Sequence, residues 1–159
     1  MKQTLKERMQ FALHISTHPF DGFWDMKREH KGQMSTALTI MALMLLTHVW
    51  AQQLEAFLFN PEKFVPYDML FELTKLVLLL GIFCVANWSV TTLLDGKGRF
   101  RQIFYISAVS AVPYIAALYL YTLMSNCFVP SEGLFMTAVL LIGGLWSFAL
   151  LWCGLSVVH

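Results

Sequence analysis

Four long apolar stretches, at about residues 34–58, 69–93, 103–124 and 134–157, constrain this chain more than anything else in it. Each is long enough to cross a bilayer as a helix, which takes about 20 residues for a hydrocarbon core of roughly 30 Å. Membrane-spanning barrel strands would need about 9–11 residues of alternating pattern, and these runs do not alternate. Composition agrees: of 159 residues, 57% are hydrophobic and 13% charged, against about 25% charged in soluble domains. So short a chain has no interior large enough for that much apolar side chain. Lipid is the solvent the excess requires. The expected fold is all-α: a polytopic transmembrane bundle over residues 34–159, preceded by an N-terminal segment over residues 1–33.

The connectors orient the bundle. Lys2, Lys6, Arg8, Lys27, Arg28 and Lys31 precede the first span, and Lys97, Arg99 and Arg101 fill the second connector. The first connector offers only Lys63, and the third has no Lys or Arg. The positive-inside rule then puts the N-terminus and the 94–102 loop on the cytoplasmic side, with the chain returning there after four crossings. The sequence "DGKG" within that loop does not make a phosphate cradle, which needs GxxxxGK[ST] leading from a strand into a helix. Asp95, Gly96 and Gly98 are turn chemistry; Arg99 and Arg101 are placed to touch anionic headgroups. The N-terminus lacks an apolar stretch followed by a cleavage site, so no cleaved signal peptide is expected.

Residues 18–32, "HPFDGFWDMKREHKG", form an aromatic elbow before the first span. Pro19 can open a helix, because its missing N–H would be unpaired there anyway. Phe20, Phe23, Trp24 and Lys27 then fall at i, i+3, i+4 and i+7, on one helical face. Aromatic rings backed by basic residues suit a helix lying in the membrane interface. The alternative is a docking surface for a partner protein, built on His18, Pro19 and the same aromatic face.

Ionisable residues also lie inside the apolar spans. His48, Gln52 and Glu55 share a face of the first span, and Glu72 and Lys75 lie one turn apart at the start of the second. A charge at mid-bilayer costs about 2.5–3.5 kcal/mol, so such groups turn inward and pair. Two readings stand: a Glu55/Lys75/Glu72 cluster that fixes the packing of the first two spans, and a polar transport path with His48 at its bottom. Asn87, near the inner end of the second span, is expected to bond to a neighbouring helix. Pro113 should kink the third span by freeing the carbonyl of Val109, with Ser110 close enough to help satisfy freed backbone groups. Gly143 and Gly144 offer a notch at similar depth on the fourth span.

Little else carries chemistry. Net charge is +1, so no polybasic surface argues for nucleic acid. Cys84, Cys127 and Cys153 form no paired motif, the five histidines are not read as a metal site, and no nucleophile–base pair is visible. No cofactor and no enzymatic activity are expected. The bilayer is the partner composition implies, with one or more proteins in a membrane complex beside it; any small-molecule substrate is undefined.

"HPFDGFWDMKREHKG", "ANWSVTTLLDGKGRFRQIF" and "SAVPYI" together resemble the Yip-domain family, membrane proteins named for interacting with Ypt/Rab GTPases. The resemblance runs over most of the chain. It is most specific at His18-Pro19-Phe20 with Trp24 and Lys27, at Asn87-Trp88, at Asp95-Gly96 with Gly98, and at Pro113, and "HPFDGFW" is similar to the bacterial branch. It implies a bundle of about five membrane helices, no known enzymatic activity and, for a bacterial member, a place in the cytoplasmic membrane. Eukaryotic relatives act in vesicle traffic through small GTPases, a role not carried over to bacteria. Only four spans are counted in this chain, so a truncation before a further helix is one expectation. The leading functional expectation is a membrane scaffold or accessory subunit; the rival is a small transporter or channel using the polar face of His48, Gln52, Glu55, Glu72 and Lys75.

Overall fold

The computed structural model describes residues 5–29, 34–56, 59, 68–93 and 99–158, all of whose regular elements are helical. In chain order they are α1 (Leu5–Thr17), α2 (Pro19–Glu29), α3 (Met34–Leu54), α4 (Met69–Leu93), α5 (Phe100–Ser110), α6 (Val112–Ser125), a 3-10 turn (Pro130–Glu132) and α7 (Gly133–Val158). Four helical segments are long and apolar enough to cross a membrane: α3, α4, α5 with α6, and the 3-10 turn with α7.

The third span is the hub. Proline cannot donate at position 113 and its ring crowds the preceding turn, so the helix breaks at Ala111 and resumes as α6. The break leaves the Tyr114 N–H without its usual acceptor, and Ser147 Oγ of α7 takes it at 3.0 Å. Gly143 makes the close approach possible: a Cβ there would collide with the Cβ of Ala117 and lie 3.2 Å from the Pro113 carbonyl oxygen. The kinked span thus packs on a glycine notch, as the sequence suggests, but Gly144 is not part of it and faces open space. The Ser110 hydroxyl donates to Ile106 O inside α5 rather than serving the break.

The same face of α7 continues through Leu150 to Gly154, which are spaced from Gly143 by whole turns. At Gly154 an added Cβ would meet Ile106 of α5 and, at 2.9 Å, Phe23 of α2. Around this seam the buried core gathers Ala12 and Ile15 of α1, Phe23 and Met26 of α2, Ile40 of α3, Tyr105 and Val109 of α5, and Leu150.

The first span is shorter than the expected 34–58. It ends at Leu54 because the end of α6 caps it: Asn126 Nδ2 donates to Leu54 O at 2.9 Å, and Ser125 Oγ accepts from Ala56 N–H at 3.1 Å. Residues 57 and 58 lie outside the described residues. The third span starts earlier than expected, at Phe100, where Gln102 Oε1 accepts the Arg99 N–H at 3.0 Å in the manner of a capping box.

Helix α1 has no counterpart in the sequence reading. Together with α2 it forms a hairpin that folds back at His18, tight enough that a Cβ on Gly22 would lie 2.9 Å from Ile15 Cα. Three bonds place the hairpin along the bundle. Arg8 donates to Ser35 Oγ at the start of α3, Lys27 Nζ donates to Val157 O at the last turn of α7, and Trp146 Nε1 donates to Ser16 O at 3.0 Å. Trp146 lies midway along α7, eleven residues or about 16 Å of helix from Val157. The hairpin therefore enters the bundle from the end holding Ser35 and Val157 and turns about halfway along it.

Candidate functional site

The aromatic elbow is the most specific sequence feature, and the structure divides it. Phe23 is fully buried against Gly154, with Met26 a turn further on, while Phe20 is 70% and Trp24 60% exposed. Phe23 lies at the edge of the aromatic arc nearest Gly22 and Met26, so the hairpin contact takes it inward and leaves the rest outside. The expected single interfacial face is thus two surfaces: a core anchor at Phe23 and an outward pair, Phe20 and Trp24. Lys27 does not reach only toward solvent. It holds the C-terminal carbonyl of α7, where the helix dipole favours a cation. Pro19 opens α2 as expected.

His14 and His18 stack, ring centroids 5.0 Å apart and 20° between planes. They stand four residues apart, a spacing the sequence reading of scattered histidines passed over. Thr17 Oγ1 donates to His14 O at 3.0 Å and lies 3.0 Å from His18 Nδ1. Among the described residues, no group of three or more His, Cys, Asp or Glu is placed to hold a metal ion.

The residues proposed for an intramembrane path do not share one centre. Lys75 Nζ bonds Glu72 at 2.7 Å, a pairing of neighbours along α4 with Lys75 largely exposed, and lies 5.8 Å from the Phe71 ring. Glu55 instead hydrogen-bonds the Tyr121 hydroxyl of α6. The expected three-member cluster is replaced by these two pairs, since α4 touches α3 only weakly. Half-buried His48 and Gln52 lie on α3. Neither lines the roughly 820 Å³ groove between α3 and α6, whose walls include Leu43, Leu46, Trp50, Ile115 and Tyr119. Asn87 bonds Phe83 O within α4 at 3.0 Å rather than a neighbouring helix: the carbonyl four residues back is always within its reach. Trp88 next to it meets Phe100 edge-on, tying α4 to the start of α5.

Arg99 and Arg101 are exposed at the start of α5. Asp95, Gly96 and Gly98 lie outside the described residues. Sequence reasoning missed Ser147, Gly154, Ser125 and Asn126. The small and hydroxyl residues spaced by whole turns on α7 were the available signal for the first two.

These features define a class: a polytopic α-helical membrane protein with a kinked central span. The family model for the Yip1 domain matches residues 13–159, nearly the whole chain. The chain belongs to the Yip1 domain family. No curated protein and no solved structure gives a significant match.

Proposed function

We propose that the chain is a non-catalytic membrane scaffold or accessory subunit, seated in a bacterial cytoplasmic membrane with its N-terminal segment on the cytoplasmic side. The observation that carries this reading is α4. Only 6% of its most apolar window is buried inside the chain, and it is held to the bundle mainly through α5. Its outward face, including Val77, Leu78, Leu79 and Ile82, offers a partner helix a continuous apolar surface within the membrane. Phe20 and Trp24, with Arg28 beside them, add a second contact outside the core. The Yip1 family membership supports a role exercised through protein interactions.

The test is site-specific photocrosslinking in membranes, with a benzophenone side chain at Leu79, Ile82, Phe20 or Trp24. The scaffold reading expects a discrete protein adduct of constant mass from at least one position on α4. Lipid adducts alone at all four positions, together with solute movement into liposomes holding the purified chain, would replace it with the transporter reading.

A further inference from the structure

We propose that the exposed flank of the α1–α2 hairpin lines a water-filled crevice, open at the Arg8–Ser35 end of the bundle and closed about halfway across the membrane at the His14–His18 pair. There the open imidazole nitrogens hydrogen-bond with water.

The depth follows from the Trp146–Ser16 bond at the tip and the Arg8–Ser35 and Lys27–Val157 bonds at the base. The flank follows from burial. Ala12 and Ile15 face the core, while Gln10, His14, Thr17 and His18 are all exposed, as is Asp21 at the start of α2. Gln10, His14 and Thr17 recur at intervals of four and three residues, so they form one stripe along α1. The Thr17 hydroxyl is satisfied within the helix by His14 O, but the Gln10 amide and the two imidazoles cannot face hydrocarbon, which offers polar groups no partner and leaves each unpaired one costing several kcal/mol. Re-entrant backbone at membrane depth is tolerated where it is buried in protein or lines water.

Water is the occupant because the polar stripe runs on through Gln10 to exposed Glu7 at the membrane edge, with the exposed Leu13 side chain along its border. Proton accounting at the tip points the same way. The single Thr17 hydroxyl proton goes to His14 O, so Thr17 Oγ1 accepts from His18 Nδ1–H. The other ring nitrogen, Nε2, then faces outward from the hairpin. It requires a polar partner, which hydrocarbon lacks and water in the crevice supplies. This inference is independent of the scaffold reading, which rests on α4.

Cysteine accessibility tests it on the full chain in sealed vesicles, after Cys84, Cys127 and Cys153 are replaced. Single cysteines are placed at Gln10, His14, Thr17 and His18, and at Leu145, which is exposed at the depth of Trp146 on α7. A charged, membrane-impermeant methanethiosulfonate is applied from each side in turn. The crevice predicts rapid modification of all four stripe positions from one side only. The Leu145 cysteine should react at least about 100-fold more slowly, because a thiol in an apolar setting stays protonated. Gln10→Cys and Thr17→Cys leave the imidazoles intact, so the test survives a failure of either histidine variant to fold. Nitroxide labels at the same positions give the counter-result. Tip labels that collide with dissolved oxygen but not with a water-soluble relaxer place lipid there; labels shielded from both place protein there. Either outcome overturns the crevice.

Discussion

The second and third spans are matched in length and opposite in role. In α4 the apolar window has mean hydropathy 2.2 and is 6% buried; across α5 and α6 the corresponding values are 1.8 and 50%. In water the more apolar helix would be the inner one. In a bilayer the order reverses, because lipid tails are as apolar as leucine and association is driven by close packing and interhelical bonds. The third span is central because it is richer in small and hydroxyl residues: Ser107, Ala108, Ser110 and Ala117 are all buried. Hydropathy therefore finds the spans, and side-chain size ranks them.

The largest test of this contrast is at the notch. Gly143→Leu drives a side chain into Ala117 and the Pro113 carbonyl, and should destabilise the bundle by about 3 kcal/mol, the upper range for overpacking a core. Gly144→Leu, one residue away and facing open space, should change little. Thermal or denaturant unfolding in mild detergent measures both, and equal losses would show that the notch is not what seats α7. Ser147→Ala comes next. It leaves the Tyr114 N–H at the break without its acceptor, a loss of about 1 kcal/mol, since hydrogen bonds between membrane helices contribute about that or less. Ser147→Thr should restore most of it, because the acceptor oxygen is kept. A Ser147→Ala variant as stable as the parent would mean that the break finds another acceptor.

What the sequence made legible follows the same division. The spans could be read because an unbroken run of about 20 apolar residues suits a bilayer crossing and little else, and the break at Pro113 because a missing N–H is a local property. The Gly143 contact was half legible: glycine signals close approach, but which of two adjacent glycines faces inward depends on the rotation of α7. Helix α1 was not legible. Its charged and polar positions carry no strong apolar stripe, and the burial of Ala12 and Ile15 exists only once α2 folds back on it and the pair packs against the spans, α5 first among them. Phe23 parted from Phe20 and Trp24 for a similar reason, since the fold-back at His18 decides which edge of an aromatic arc meets Gly154. Glu55 was matched to the wrong helix because depth alone made Lys75 an equal candidate, and only the packing of α3 on α6 selects Tyr121.

The smallest expected effect sharpens the contrast most. Leu79→Ala and Ile82→Ala remove side chains that are 69% and 66% exposed, so they leave no cavity in this chain. Each should alter its stability by no more than about 0.5 kcal/mol, the usual range for surface positions. Buried truncations of the same size, such as Ile106→Ala in α5, typically cost about 2–5 kcal/mol. A scaffold adds a second expectation for the same two variants: unchanged unfolding of the isolated chain, but loss of the photocrosslinked adduct formed from a neighbouring α4 position. Unfolding losses comparable to that of Ile106→Ala would instead show that α4 is already covered by its own chain or by a second copy. The asymmetry between the two spans would then belong to the single chain and not to its assembled state.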